Sequence, residues 1–363
     1  MANETEKVNT IAIADIEKIS GKTDDNIEKI SGLEFTGTPP DWKGSRAILM
    51  GGRFYDSGGS TASAVSVQYK TLASDANTSD FGDLAASKSD AAGSGSNGTT
   101  VVMGGGTTWG SPTVTNTQTI DYVTAASTGT FGDAGDLEVG SDRGGTNGAS
   151  NGTLCFFAGG RGLTSNIEQM TISSTGGASD AGDLTASSIT HATSNGDSKF
   201  LLIGIGSGET AKTAIDEHDF STTGNASDYG NVATVGIGKT GVVCATNRVV
   251  TAGGYIGSGA YGTRLQFFPV ASAADGDTSD EADLVVGAVG CQGTSNGTRG
   301  EFYGGEATSG NGFFQNDIQK VTISSLANTT DVGDLTTVDS ATNVYSTGDA
   351  SGIADMGSQT AIN

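Results

Sequence analysis

Short apolar runs alternate along the chain with stretches rich in glycine, serine, asparagine and aspartate. The runs are four or five residues long, as in A-I-L-M at 47–50, L-C-F-F-A at 154–158 and F-L-L-I at 200–203. Runs of this length between turn residues predict β-strands, because Gly, Asn, Asp and Ser each favour turns for a backbone reason of their own. We therefore predict an all-β protein of many short strands around a buried core.

Three patterns recur six times in the same order, about every 50 residues. Glycine pairs close an apolar run at 51–52, 104–105, 159–160, 253–254 and 304–305, with G-I-G at 204–206 in the fourth place. Strand-like segments follow, beginning with V-Q-Y-K-T-L, I-D-Y-V-T-A, I-E-Q-M-T-I, I-D-E-H-D-F, L-Q-F-F-P-V and I-Q-K-V-T-I at 67, 120, 167, 215, 265 and 318. Acid pairs end each unit at Asp80/Asp83, Asp133/Asp136, Asp180/Asp183, Asp228/Asn231, Asp280/Asp283 and Asp331/Asp334.

A fourth pattern, S-N-G, precedes four of the glycine-pair strands, at 96–98, 150–152, 194–196 and 295–297. Asn-Gly between two strands is a strong hairpin signal, so each unit reads as four short strands. A four-stranded unit of about 50 residues is typical of a propeller blade. The sequence predicts six such blades.

The unit length and the glycine pair after an apolar strand resemble a kelch-type β-propeller, over residues 44 to about 350. A kelch unit usually carries a Tyr and a Trp at fixed later places, whereas this chain has only Trp42 and Trp109. The resemblance therefore implies a kelch-like architecture rather than a close relationship.

Ring closure is predicted from the two ends of the repeat region. The first unit, from Arg46, lacks a first strand, and S-A-T-N-V-Y-S-T-G at 340–348 reads as a lone one. We expect this C-terminal strand to complete blade one, because pairing both ends removes an open sheet edge. A seventh blade over 340–357 is the weaker alternative, since no third or fourth strand remains. The propeller is predicted to span 44–350, followed by a C-terminal tail, 351–363.

Residues 1–43 form a separate N-terminal arm in this interpretation. I-E-K-I-S-G occurs at 16–21 and at 27–32, and Asp15 and Asn26 lie where helix N-caps would, with Gly21 and Gly32 as stops. We expect two short helical turns, either packed on the propeller or disordered, or else an anchor that orders on a partner. The candidate docking residues are Ile16, Ile19, Ile27, Ile30, Leu33 and Phe35.

The I-E-K-I-x-G units resemble N-terminal segments of virion structural proteins from marine tailed phages of the cyanophage type, over about 25 residues. This resemblance implies a virion protein, with the arm contacting other virion proteins and the chain present in multiple copies on each particle.

Charge limits the partners. The net charge is −23, with 41 acidic against 18 basic residues, which disfavours binding to nucleic acid and to anionic membranes. No apolar stretch approaches the roughly 18 residues of a membrane span, so no membrane insertion is expected. The N-terminus also lacks the basic and apolar segments of a secretory signal.

The acid pairs are candidates for calcium or for turn formation. Calcium requires six to eight oxygen ligands, and two carboxylates per unit, one replaced by Asn231, are too few. We expect each Asp to accept local backbone N–H groups instead. Three widely spaced cysteines predict neither disulfides nor a zinc site. We predict no metal and no cofactor.

Histidine chemistry is also disfavoured. His218 stands at a third-strand position that other units fill with Lys70, Val123, Met170, Phe268 and Val321, so it is a packing position, and His191 stands alone. No Ser/His/Asp set can be assembled. We therefore predict a protein that is not an enzyme.

The loops between strands two and three carry aromatic residues that differ among the blades. Exposed aromatics on one rim suit sugar stacking or protein docking; the alternative is that the rings cover the blades as part of the core. The candidates are Phe54, Tyr55, Trp109, Tyr255, Tyr261, Phe313 and Phe314.

Together these observations predict a structural protein on the virion of a tailed phage, as a tail appendage or fibre or as capsid decoration, made in the host cytoplasm and exposed on the released particle. Contact with a host-surface glycan is a further expectation. The alternative is a bacterial carbohydrate-binding or adhesive propeller.

Overall fold

The computed structural model describes short strands between Lys7 and Glu34 and most of residues 46–336. Within that second range it omits 56–60, 89–92, 111–112, 125–127, 139–145, 161–163, 175, 188–190, 195–197, 206–212, 233–239, 246, 255–261, 271–278, 308–314 and 326. The chain divides into two compact units, Met1–Asp41 and Trp42–Asn363. All regular elements in the described parts are strands, which confirms the all-β prediction.

The first unit contains three small antiparallel hairpins, and here the helical prediction was wrong. Their strands are β1 (Lys7–Val8), β2 (Ile11–Ala12), β3 (Lys18–Ile19), β4 (Lys22–Thr23), β5 (Lys29–Ile30) and β6 (Leu33–Glu34). Lys18 lies opposite Thr23 and Ile19 opposite Lys22, so β3 and β4 pair as antiparallel neighbours. The three hairpins begin at residues 7, 18 and 29, so the unit that repeats every eleven residues is a hairpin. The hairpin at 7–12 is a third copy, which precedes the two copies of I-E-K-I-S-G.

The second unit is a ring of six antiparallel sheets, a six-bladed β-propeller. Blades one to three comprise β7 (Arg46–Met50), β8 (Arg53–Tyr55), β9 (Thr61–Ser63), β10 (Ser66–Thr71), β11 (Ser79–Asp83); β12 (Gly93–Ser96), β13 (Thr100–Gly104), β14 (Thr107–Gly110), β15 (Thr113–Asn116), β16 (Thr119–Thr124), β17 (Gly132–Asp136); and β18 (Asn147–Ser150), β19 (Leu154–Ala158), β20 (Asn166–Thr171), β21 (Ser179–Asp183). Blades four to six comprise β22 (His191–Ser194), β23 (Lys199–Ile205), β24 (Ala214–Asp219), β25 (Ser227–Asn231); β26 (Gly241–Ala245), β27 (Arg248–Ala252), β28 (Arg264–Pro269), β29 (Ser279–Asp283); and β30 (Ala288–Val289), β31 (Gln292–Ser295), β32 (Arg299–Tyr303), β33 (Glu306–Ala307), β34 (Asp317–Thr322), β35 (Thr330–Asp334).

Blades two to six are four-stranded meanders, as in the order β12-β13-β16-β17. The described part of blade one has three strands, in the order β11-β10-β7. The C-terminal strand predicted to complete blade one, within 340–348, lies outside the described residues, as does the tail 351–363.

The core lies between the blades rather than inside any one of them. In β19, Phe156 packs towards blade four and its neighbour Phe157 towards blade two, and both are fully buried. Successive strand residues point to opposite faces, so a strand covered on both faces can be apolar throughout. Six such clusters fill the six interfaces between neighbouring blades.

The turn predictions hold with small adjustments. In S-N-G, Gly98 has φ 86° and the side chain of Asn97 accepts the amides of Thr99 and Thr100 at 3.0 and 2.7 Å. Asn97 therefore precedes the turn and caps it through its side chain, and Gly98 is the first residue of the turn. In blade two the predicted glycine pair shifts by one residue, because Gly105 and Gly106, rather than 104–105, have the positive φ angles found in other blades.

Candidate functional site

The loops between strands two and three and those between strands four and one lie on the same face of the propeller. Within blade one, Gly52 donates its amide to the carbonyl of Lys88 at 2.9 Å. At blade six the two loop types pair as strands, with β30 antiparallel to β33. We call this surface the loop face.

Two hairpins rise side by side from the loop face. β8 pairs with β9 in blade one and β14 with β15 in blade two, and β9 contacts β14. The Ser63 hydroxyl donates to the carbonyl of Thr107 at 3.3 Å. The two hairpins therefore form one local platform that the other blades do not share among the described residues.

This platform brings together three of the seven predicted aromatics. Phe54 and Tyr55 lie on β8, and Trp109 lies on β14 opposite Val114. Only their backbone positions are described. Tyr255, Tyr261, Phe313 and Phe314 lie outside the described residues, so whether the aromatics bind a ligand or cover the core stays a prediction.

The predicted docking residues of the arm divide in the same way. Ile19, Ile30 and Leu33 lie on hairpin strands, where Ile30 is opposite Leu33. Ile16, Ile27 and Phe35 lie outside the described residues. Their role in docking remains a prediction.

A buried ion pair lies below the platform. Lys88 Nζ is 3.0 Å from Asp121 Oδ2 and donates to the carbonyl of Thr119 at 2.9 Å. Both side chains are buried, at 1% and 6% exposure. Burial lowers the pKa of Lys88, and the charge of Asp121 partly opposes that shift.

The acid pairs form the junctions between blades. In blade one Asp80 lies opposite Gln68 and Gly82 opposite Val67, which makes Phe81 the extra residue of a β-bulge. All six blades have this irregularity. The first Asp accepts the amide two residues later in four blades, at Asp133, Asp180, Asp228 and Asp331. These contacts match the predicted turn role.

The second Asp joins its blade to the next one through its backbone. The carbonyl of Asp183 accepts the amide of Ala226 at 2.7 Å, while the Asp183 amide is bound by the side chain of Asn225 at 3.2 Å. Equivalent carbonyls accept from Phe131, Ala178, Thr329 and Thr78. The last of these joins blade six to blade one.

A second contact between blades was missed by the sequence reasoning. The third strand of every blade places a buried Gln, Asp or Glu directly after its first apolar residue: Gln68, Asp121, Glu168, Asp216, Gln266 and Gln319. Glu168 accepts the amide of Glu138, and Asp216 that of Thr185, at 2.9 and 2.8 Å. The donors follow the G-D-L of the preceding blade. The signal available in the sequence was that every unit has a polar residue at this position, as in V-Q-Y, I-D-Y and I-E-Q.

The interface between blades six and one, the closing interface, carries a cluster of charged residues. Lys70 Nζ lies 2.8 Å from Glu301 Oε1, with side-chain exposures of 1% and 0%. Arg299 also contacts Glu301, and the Tyr303 hydroxyl donates to its other oxygen. At the edge, Asp75 accepts from Lys320 and Arg299, both at 2.7 Å, and these hydrogen bonds lower the pKa of Asp75.

The centre of the ring is tightly packed. The innermost strands bear buried Ser96, Ser150, Ser194 and Ser295, and Ser150 donates its hydroxyl to the carbonyl of Ser96 at 3.0 Å. A Cβ on Gly148 would lie 2.9 Å from the backbone nitrogen of Ser94. Blades two and three thus meet backbone to backbone near the axis.

His218 occupies a packing position in blade four. His218 is buried, contacts Phe156 edge-on at 5.1 Å and hydrogen-bonds the carbonyl of Gly224 at 2.8 Å, as expected of a packing position. Within the described segments no group of three or more His, Cys, Asp or Glu could hold a metal ion. The same segments include no helix long and apolar enough to cross a membrane.

Comparison with known proteins supports the fold and leaves the function open. Neither the family models nor the curated proteins include a match to this chain. Among solved structures, that of YjhT is similar with a TM-score of 0.60 and 12% identity, covering 80% of this chain and 98% of YjhT. Because 376 solved chains match and one fold hosts many functions, this likeness establishes a β-propeller fold alone.

Proposed function

We propose that this chain is a non-enzymatic structural protein of a tailed-phage virion, located on the particle in several copies. Residues 1–43 dock on other virion proteins, and the propeller is displayed on the tail or capsid. The observation that carries this proposal is a separate N-terminal unit of three hairpins at eleven-residue spacing, placed before a propeller.

The composition of the arm supports docking. Its strands have two residues each, and isolated two-stranded hairpins are marginally stable in water. Folded units of about 40 residues usually need disulfides, metals or association, and residues 1–41 contain no Cys or His. We therefore propose that association with a partner chain stabilises the arm.

The propeller supports a display role. Its interfaces are joined by backbone hydrogen bonds, apolar clusters and buried polar contacts, so it is a rigid body on which loops are presented. Among the described residues, the platform of β8–β9 and β14–β15 has no counterpart in the other blades. It carries Trp109, which suits contact with a host glycan through stacking.

Deleting residues 1–41 is expected to abolish incorporation into particles while the propeller keeps its fold. Host cells that express the tagged full-length or shortened chain are infected, and the amount of tagged chain that purifies with the virions is measured. Thermal unfolding of the full-length and shortened chains checks that the propeller is intact. A matched control is Ile19→Val with Ile30→Val, which preserves the apolar repeat and should be incorporated normally. Incorporation of the deleted chain at the full-length level would contradict the docking role.

Trp109→Ala is expected to weaken binding to host cells or to a glycan array about tenfold or more, because buried aromatic contacts dominate recognition energies. Val285→Ala is the control, since Val285 is 57% exposed on a different blade. If the full chain binds no glycan, the propeller has a structural role only. If the full chain binds a glycan and deletion of residues 1–41 leaves incorporation into particles unchanged, the alternative of a bacterial adhesive propeller is favoured.

A further inference from the structure

Residues 85–88, which we call the connecting segment, follow the last strand of blade one and contact the base of its hairpin. Gly52 comes directly before β8 and Ala64 directly after β9. The Gly52 amide donates to the carbonyl of Lys88 at 2.9 Å, and the Lys88 amide donates to the carbonyl of Ala64 at 3.2 Å. Ala64 in turn donates its amide to the carbonyl of Gly52 at 2.7 Å. The backbone of Lys88 therefore closes the base of the β8–β9 hairpin.

The side chains at this point lead to blade two. The Lys88 ammonium group donates to the carbonyl of Thr119, the first residue of β16, at 2.9 Å, and lies 3.0 Å from Asp121 Oδ2. The carbonyl of the preceding residue, Ser87, accepts the hydroxyl of Thr108 on β14 at 2.8 Å. Two adjacent residues of the connecting segment thus bind the hairpin of blade one, the hairpin of blade two and the strand that follows it.

Blade five shows what the lysine adds. Its own connection makes the same three backbone hydrogen bonds, from Gly254 to Ala288 at 2.8 Å, from Ala288 to Gly262 at 3.2 Å and from Gly262 to Gly254 at 2.8 Å. Alanine is therefore sufficient for contact within the blade. The contact with the next blade is made there by strand pairing of β30 with β33. Residues 85–88 form no such strand, and side chains make the contact with blade two instead.

Asp121 differs in a corresponding way from its equivalents in other blades. In blade six, Gln319 holds this position and binds the backbone of Val286 in the preceding blade, accepting its amide at 3.3 Å and donating to its carbonyl at 3.0 Å. Asp121 instead faces the Lys88 ammonium group, and both side chains are buried. A charged group in the interior needs a counter-charge. Lys88 and Asp121 therefore act as one unit, at the interface that carries the platform.

We propose that Lys88 is a positioning residue for the platform. Its ammonium group fixes the base of the blade-one hairpin to blade two, and so sets the spacing between the strand that carries Phe54 and Tyr55 and the strand that carries Trp109. Recognition requires that contact residues be held in a fixed arrangement by the residues behind them. The role in glycan binding rests on the proposed function, whereas the spacing of the two hairpins is a property of the chain without any ligand.

Lys88→Ala combined with Asp121→Gln tests the proposal. Lys88→Met alone would leave a buried carboxylate without its counter-charge, and loss of the fold would obscure the local effect. The double variant carries residue types that this chain already combines between blades five and six, as Ala288 and Gln319, and it should remain folded. It lacks only the ammonium contact with blade two.

Spin labels on the two hairpins provide the measurement. The three native cysteines are buried, so nitroxides attached at Thr61→Cys on β9 and Thr113→Cys on β15 report the spacing by dipolar EPR. We expect a narrow distance distribution in the chain that retains Lys88 and a broader one in the double variant. Without the spin labels, the Gly52 amide of the double variant should exchange about tenfold faster than in wild type, because the connecting segment is then held from one side. The Gly254 amide in blade five should keep its rate.

The matched control is Lys199→Ala with Glu217→Gln, which makes the same substitutions at a partly exposed ion pair of blade four. It should leave the distance distribution and the exchange of Gly52 unchanged. An unchanged distribution in the folded double variant would overturn the proposal. Broadening in the control, or faster exchange throughout the ring, would also overturn it, since the ion pair would then serve general stability.

A glycan array separates this inference from the proposed function. If the wild-type chain binds a glycan, the double variant should bind it about tenfold more weakly, as expected for loss of one aromatic contact. Equal binding by a folded double variant would overturn the positioning role. If neither chain binds a glycan, the glycan contact is contradicted, while the distance distribution still decides whether Lys88 sets the spacing of the hairpins.

Discussion

Glu301→Gln is expected to lower the free energy of unfolding by about 3–5 kcal/mol, the range found when one partner of a buried ion pair is removed. Lys70 is 1% exposed and has Glu301 as its charged partner at 2.8 Å. Glutamine has nearly the same shape but no charge, so the buried ammonium group would keep its hydrogen bond to the carbonyl of Ser74, at 2.6 Å, and lose its buried counter-charge. The lost stability would come from the closing interface, where blade six packs against blade one.

Chemical denaturation of the wild-type and variant chains at pH 7 measures this effect. The matched control is Glu217→Gln, because Glu217 pairs with Lys199 at 2.9 Å in a partly exposed setting, at 14% and 31% exposure. Exposed pairs contribute about 0–1 kcal/mol, so this variant should remain close to wild type. Equal losses in both variants would show that the closing interface has no special role.

The variant should also change the pH dependence of stability. Burial lowers the pKa of Lys70 from 10.5, while Glu301 raises it. A lowered pKa means that the unfolded chain binds more protons, so stability rises with pH between the folded pKa and 10.5. Removing Glu301 lowers the folded pKa further and extends this rise towards neutral pH. Unfolding curves between pH 7 and 10 would reveal it.

Gly182→Ala is expected to destabilise the protein by about 3 kcal/mol or more. Gly182 has φ +130°, and an added Cβ would lie 1.8 Å from the carbonyl oxygen of Gly224 in the next blade. The backbone conformation alone costs of order 1–3 kcal/mol for a residue with a side chain. The overlap adds to this, because the amides of Gly224 and Ala226 donate to the carbonyls of Ala181 and Asp183 and hold the two segments together on either side.

Gly176→Ala is the control for this prediction. Gly176 lies in the neighbouring junction, and an added Cβ would meet nothing within 4 Å. It should change the unfolding free energy by less than about 1 kcal/mol. A similar loss at both positions would show that close approach at the bulge does not govern the junction. Blade five has Ala282 at the position equivalent to Gly182 and retains the β-bulge. The destabilising effect of an added Cβ therefore depends on the individual junction.

Local patterns predicted much of the propeller and little of the arm. Four strands per unit, the S-N-G hairpins and the G-D-L ends follow from turn chemistry and apolar runs, which act over a few residues. In the arm, Ile16/Ile19 and Ile27/Ile30 fit a helical spacing, yet Lys18–Ile19 and Lys22–Thr23 pair as antiparallel strands. Two-residue strands leave no alternating pattern long enough to distinguish them from a helical turn.

The candidate binding residues were predicted only as a class. The sequence indicated that Phe54, Tyr55 and Trp109 belong to loops of one face. Their meeting on adjoining hairpins depends on β9 contacting β14, and these strands belong to different blades. No local pattern in either blade encodes that contact.

By itself, the sequence determined the fold class, the number of blades and the place of each repeated strand, because turn residues and apolar runs act locally and recur six times. The tertiary structure alone decided what those repeats do. S-D-F-G-D forms a β-bulge whose backbone hydrogen-bonds the next blade, and the polar residue of V-Q-Y hydrogen-bonds the preceding blade. Lys70 pairs with Glu301, which lies 231 residues away in the sequence. Such contacts exist only once the ring has brought distant residues together, because their energies depend on burial and geometry that no single segment possesses.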